Sequence, residues 1–238
     1  MILNFEDRLS DSPFIERVWR SRSEAGGPFL SVAQGNLELV VTRLPDLTLV
    51  TLRGPETRPS IVEAPPNGRW VAIRFAPGVY LPHRPTGSLL DHNSLNMAVS
   101  HDGRFWFEGA AWDLPDFDTA EIFVARLARH GAIAREPAVV AVLQGDHQAL
   151  TRRSVQRHFQ HATGMTHGAF RQIVRARHAA DLLQGGASIL DATHEAGYFD
   201  QAHLTRSFRA LIGQSPARIA RQEAQLSFLY KTDPPAIV

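Results

Sequence analysis

Asp200-Gln-Ala-His-Leu-Thr-Arg-Ser-Phe-Arg-Ala-Leu-Ile-Gly213 lies, at an offset of 49 residues, over Thr151-Arg-Arg-Ser-Val-Gln-Arg-His-Phe-Gln-His-Ala-Thr-Gly164. A capping residue (151, 200), an apolar anchor (155, 204), an Arg (157, 206), a Phe (159, 208) and a closing Gly (164, 213) coincide. Thr151 and Asp200 suit a helix N-cap, where a side-chain oxygen accepts from the free N–H groups of the first turn. Anchor and Phe stand four apart, so they share one helix face, and that face must be buried. At about 100° per residue, Arg157 and Arg206 lie about 200° from their anchors, on the opposite, exposed face. Arg153, Gln156 and Gln160 accompany Arg157 there; Ala202, Thr205 and Arg209 accompany Arg206.

The same grammar runs through the back of the chain. Ser188-Ile-Leu-Asp191 resembles a capping box with Asp in place of Glu. Ser215-Pro216 is a cap followed by Pro at the first helical position, and Gly164, Gly185 and Gly213 stand where a left-handed residue closes a helix. These signals predict helices near 137–144, 151–163, 168–184, 188–195, 200–212 and 216–223. Ile189–Glu195, then Ala196-Gly-Tyr-Phe, then the second repeat read as a helix-turn-helix. The major groove of B-DNA admits one helix, whose Arg, Gln and Thr can bond base edges or phosphates. A connecting helix of roughly 17 residues spans about 25 Å, a spacing that suits two reading helices near one duplex turn apart.

The front of the chain speaks differently. All four Trp and eleven of the fifteen Pro precede residue 120. Phe14–Arg20, Phe29–Ala33, Leu37–Arg43, Leu47–Leu52, Trp70–Phe75 and Arg104–Phe107 are short and rich in β-branched or aromatic residues, which predicts strands. Leu44-Pro-Asp between two of them predicts a hairpin, and so many short strands suggest a barrel or sandwich. Asp118–Arg129 changes to a helical period. The division expected is a β-rich domain at 1–118, a helical linker at 119–136, an all-helical domain at 137–223 and a tail at 224–238.

Charge follows that division. Residues 1–135 hold 14 Arg and 16 Asp/Glu, whereas 151–222 hold ten Arg against four acids, Asp181, Asp191, Glu195 and Asp200. Such a local excess fits a polyanion partner or a solvated basic face. With 44% hydrophobic and 21% charged residues, the chain is composed as a globular protein. It has no Cys, which excludes disulfides, thiol catalysis and Cys-ligated zinc. The opening MILNFEDRLSDSPF lacks the order of a secretory leader, and no run is long enough to span a membrane, so a cytoplasmic, microbial protein is expected.

Ala196-Gly-Tyr-Phe-Asp-Gln-Ala-His-Leu-Thr-Arg-Ser-Phe-Arg-Ala-Leu-Ile-Gly-Gln-Ser-Pro-Ala-Arg218 resembles the signature of the AraC/XylS transcriptional regulators. Thr151–Gly164 and Arg171-Gln-Ile-Val-Arg-Ala-Arg-His-Ala-Ala-Asp-Leu-Leu183 resemble the family's first motif and connecting helix. The resemblance covers about 138–222. It implies two reading helices in adjacent major grooves of double-stranded DNA. Arg152, Arg153, Gln156 and Arg157 match contacting positions on the first, and Gln201, Ala202, His203, Thr205 and Arg206 match those on the second. The stretch before the first departs from the pattern: Gln148 lies where the second copy has Gly197. His203 reads a base or packs near its cap, and Arg175 and Arg177 face DNA or pair with Asp181.

By the same resemblance the front domain is cupin-like and senses a small-molecule effector or forms a homodimer, and an activator would also touch RNA polymerase. His83, His92 and His101 do not match the metal pattern of cupins, and no nucleophile elbow or phosphate loop is present. The expectation is an α+β bacterial regulator without enzymatic activity, metal or cofactor. Its alternatives are a cupin-type metalloenzyme with a helical appendage, or a regulator that has lost one reading helix.

Overall fold

A computed structural model describes residues 3–91, 93–146 and 150–221. Strands β1 (Leu3–Leu9), β2 (Ile15–Ser23), β3 (Gly27–Ser31), β4 (Glu38–Leu44) and β5 (Leu47–Arg53) come first. They are followed by β6 (Ser60–Ala64), β7 (Arg69–Phe75), β8 (Val79–Tyr80), a 3₁₀ turn at Thr86–Leu89, β9 (Asn93–Ala98), β10 (Arg104–Phe107) and β11 (Ala110–Asp113). Helix α1 (Ala120–His130) and β12 (Ala134–Arg135) lead to α2 (Pro137–Leu143), α3 (Arg152–Thr163) and α4 (His167–Gln184). Helices α5 (Ile189–Glu195), α6 (Gln201–Leu211) and α7 (Pro216–Ala220) complete the described chain.

Two compact units result, and neither is continuous in sequence. The first takes the described residues of Met1–Gly27, Asn36–Pro55 and Ala64–Met165; the second takes Pro28–Gly35, Glu56–Glu63 and those from Thr166 onward. This differs from the division expected from composition. The segments 28–35 and 56–63 belong with the back helices, while α2 and α3 belong with the strands.

The first unit is built on a six-stranded antiparallel sheet in the order β1-β2-β7-β4-β5-β9. Leu44 pairs with Leu47 across Pro45-Asp46, which is the hairpin expected. Strand side chains alternate between faces. Leu39 and Val41 therefore face inward beside Val50, Leu52, Ile73 and Val18. The α1 residues Ala120, Phe123, Val124 and Leu127 recur at helical spacing and join that core. The stretch 119–136 is thus no free linker: four of the eleven residues of its helix are core. The β10–β11 hairpin adds Phe105, Phe107 and Trp112, with the Phe105 and Trp112 rings 6.1 and 6.0 Å from Phe123.

On the other face of the sheet Glu38 is 2% exposed. Burial pushes its carboxyl up, but the guanidinium groups of Arg74 and Arg53 and the indole N–H of Trp19 outweigh this and hold it below the usual range. Trp19 Nε1 donates to Glu38 Oε1 at 2.9 Å and Arg74 Nη2 at 3.1 Å.

In the second unit the core joins Ala176, Ala179, Ala180 and Leu183 of α4 to Ala192, Tyr198, Leu204, Phe208, Ile212 and Ile219. Val32, from the segment after β3, is buried in the same cluster, and Leu30 packs against it. The Ala33 N–H donates to the Leu211 carbonyl at 2.9 Å, satisfying an oxygen that the end of α6 leaves unpaired. β3 pairs with β6, and a side chain at Gly35 would meet the Phe170 ring at 2.4 Å. Helix punctuation follows expectation with one exception. Gly164 and Gly213 are left-handed at φ +71° and +79°, but Gly185 is right-handed and Gly186 takes the left-handed turn at φ +93°. No helix among the described residues is long and apolar enough to cross a membrane.

Two outcomes are expected. Val32→Ala removes two buried methyl groups and should cost about 2 kcal/mol in urea unfolding, despite lying over a hundred residues from the helices it supports. Arg8 grips Glu121 through two hydrogen bonds of 2.6 and 2.8 Å. The Arg8 bonds, opposed by desolvation and assisted by Ser10, bring the Glu121 carboxyl down to about 2. A depressed carboxyl stabilises the fold above its unfolded pKa and loses that contribution as pH falls toward the folded one. The stability gap between wild type and Glu121→Gln should therefore be full at pH 7, narrow below about pH 4.5 and close near pH 2, as read by thermal melts across that range.

Candidate nucleic-acid interface

The site begins with four polar side chains that stop and start helices. Ser188 Oγ accepts from the Asp191 N–H at 3.1 Å and donates to Asp191 Oδ2 at 2.6 Å. The shorter Asp returns to the capping hydroxyl, not to the backbone as Glu would. Gly197, at φ +69°, turns the chain after α5. Asp200 then caps α6, accepting from the His203 N–H at 2.6 Å, and Ser215 caps α7 ahead of Pro216.

Between Gly197 and Asp200 the buried Tyr198 fixes the angle of entry into α6. Its hydroxyl lies 2.9 Å from Ser207 Oγ, in the second turn of that helix. The Arg175 guanidinium stacks 4.5 Å from the Tyr198 ring centre and donates to the Gly197 carbonyl at 3.5 Å. Burial pushes the phenol up, so it stays protonated and able to donate. Arg175 therefore positions the turn, the use its sequence context left open.

On α6, Leu204 and Phe208 are buried, which turns Gln201, Ala202, Arg206 and Arg209 to solvent. Thr205 is half-buried and its hydroxyl donates to the Gln201 carbonyl at 2.8 Å, leaving oxygen lone pairs as acceptors. His203 is also half-buried, its ring edge-on to Tyr198 at 5.1 Å, so it packs beside its cap.

The first repeat forms α3 with the expected cap, Thr151 accepting from the Ser154 N–H at 3.2 Å. Val155, Phe159 and Ala162 are buried; Arg152, Arg153 and Arg157 are exposed and Gln156 half-buried. Gln160 is exposed beside them, and its amide donates to the Gly164 carbonyl at 2.8 Å and closes the helix. α3 packs against α2, β8 and the 3₁₀ turn. His158 Nδ1 lies 3.3 Å from Glu136 Oε1, and the His161 ring is edge-on to Tyr80 at 4.6 Å. A side chain on Gly164 would meet Gly87 Cα at 2.9 Å. Residues 147–149, including Gln148, lie outside the described residues, as does His92.

The expected site residues thus form two groups, one on each helix. No ion pair or side-chain hydrogen bond holds Arg152, Arg153, Arg157 or Arg206 among the described residues. An unpaired guanidinium keeps five donors for phosphate or base edges. Among the described residues no group of three or more His, Asp or Glu is placed to hold a metal ion. Sequence reasoning passed over Phe199 as part of this surface; its only local signal is a second aromatic in a turn that buries one.

No curated protein and no solved structure matches the chain. Residues 146–222 match the family model described as a helix-turn-helix domain. With the caps, the Gly197 turn and the buried face of α6 in place, this region is a DNA-binding helix-turn-helix domain of the AraC type.

Proposed function

We propose that the protein is a sequence-specific transcriptional regulator, and not an enzyme, that reads double-stranded DNA with both α3 and α6. The observation that carries the reading is the exposed face of α6. Gln201, Thr205 and Arg206 are donors and acceptors spaced for a major groove, on a helix fixed by its own cap and by Tyr198. α3 repeats the cap, the buried anchors and the exposed Arg, which supports a second reading helix. Ten Arg against four acids between 151 and 222 support a polyanionic partner.

The remaining parts of the proposal are a small-molecule effector, a homodimer, contact with RNA polymerase in an activator, and a place in the cytoplasm. The family resemblance supports them. A cupin-like closure of the β-rich unit belongs to the same reading. It is supported by the β10–β11 hairpin, which bridges to the end of β9 through Val99 and Phe105 and shares the core of the sheet.

The test is anisotropy with a duplex enriched from a random pool, against a scrambled one. Arg157→Ala and Arg206→Ala should each weaken specific binding by roughly 1–3 kcal/mol if the lost contact reads a base. Affinity should fall with salt, at a slope set by the phosphates neutralised. Loss in both variants supports two readers. Loss in Arg206→Ala alone leaves α3 as a support, and equal weak binding to both duplexes removes the sequence-specific reading.

A further inference from the structure

The turn before α6 sends its two aromatic rings in opposite directions. Tyr198 goes inward, 4% exposed, and Phe199 goes outward, 90% exposed. No other large apolar side chain among the described residues is so open to water. A single exposed apolar residue is ordinary on a protein surface, so exposure alone decides nothing. Its place does. Phe199 directly precedes Asp200, the cap of α6, and the first turn beyond that cap shows Gln201 and Ala202 to solvent.

A helix-turn-helix enters the major groove with the N-terminal residues of its second helix. The Phe199 backbone is held at that end from both sides. Tyr198 is tied to Ser207 and Arg175, Gly197 to Arg175, and Asp200 to the His203 N–H. The phenyl ring therefore leaves from a fixed point, next in sequence to the polar side chains that would bond base edges. Among the groups displayed in the major groove, the apolar one is the 5-methyl of thymine.

We propose that Phe199 is a specificity-determining residue that packs on the 5-methyl group of a thymine at the edge of the site read by α6. The inference rests on the DNA-binding reading above. It assigns the apolar part of a recognition surface whose polar part is Gln201, Thr205 and Arg206.

The test uses the full chain and a duplex that the wild type has enriched from a random pool. Each thymine is replaced singly by uracil, which removes the methyl group alone. At one position the wild type should lose about fourfold in affinity, the worth of one buried methylene-sized group. Phe199→Ser should bind the thymine duplex about as weakly as the wild type binds that uracil duplex, and be indifferent to the exchange. Its salt dependence should match the wild type's, since no phosphate contact is lost. The ring touches no core, so the melting temperature of the variant should stay unchanged and verifies its fold. A wild type indifferent to uracil at every position, or a variant as sensitive as the wild type, overturns the proposal. Arg206→Ala separates the two levels of failure. If it loses the enriched duplex while no uracil effect depends on Phe199, only the thymine contact falls. If no duplex is enriched, or Arg206→Ala binds like the wild type, the DNA-binding reading falls and takes the thymine contact with it.

Discussion

Leu204 and Phe208 stand four apart on α6 and must both leave water, and much of the second unit follows from hiding them. Their burial sets the rotation of α6 about its axis, which turns Gln201, Ala202, Arg206 and Arg209 outward. Small residues on α4, Ala176, Ala179 and Ala180, let the neighbouring helices approach closely enough to cover them. Tyr198 then fixes the remaining freedom, the direction in which the chain enters the helix. Its hydroxyl bond to Ser207 ties the turn to the helix it introduces, and Arg175 holds the turn from outside. A Val from the front of the chain fills the rest of the core. Polar contacts specify an orientation here, while apolar burial supplies most of the stability.

Charge is used in two opposite ways. In the first unit, Glu38 is buried and answered by two guanidinium groups and an indole, because an unanswered carboxylate there would be costly. On α3 and α6 the exposed Arg side chains carry no such partner among the described residues. Two acidic side chains near α6 serve as caps: Asp191 bonds Ser188 and Asp200 bonds the His203 N–H. Pairing would bring little stability at a solvated surface and would occupy donors that a phosphate needs.

What could be read from the sequence was what neighbours in sequence decide. Caps, helix-closing glycines and four-residue spacing are local, so the six back helices stand close to their expected places. Thr151, Asp200, Ser188 and Ser215 all cap as their residue types predict. The Pro45-Asp46 hairpin was legible for the same reason. Of the outer strands of the sheet, β1 (LNFEDRL) and β9 (NSLNMA) are polar enough to hide, because a partner strand on one side sets their pairing. Gly185 and Gly186 are adjacent, and only the geometry of the last turn of α4 decides which one is left-handed. The division into units was not legible at all. Val32 looks like any strand residue, and nothing within ten residues of it says that its neighbours in space are Leu204 and Phe208. Gly35 is the same case: its missing side chain makes room for Phe170, 135 positions away.

The two repeats are alike in sequence yet built into different bodies. α6 shares its core with α4, α5, α7 and the segment around Val32, whereas α3 rests on α2, β8 and the turn at Thr86–Leu89. The Gly164–Gly87 approach leaves no room for even a methyl group at Gly164, so α3 is seated on the β-rich unit as closely as backbones can meet. Interiors packed at that density move as pieces and do not deform continuously. On the proposed reading, a ligand that shifted the 3₁₀ turn or β8 would carry Arg152, Arg153 and Arg157 with it. The chain crosses near 27–28, 35–36, 55–56, 63–64 and 165–166. Four of these five crossings lie in the front half of the chain, far in sequence from the two repeats.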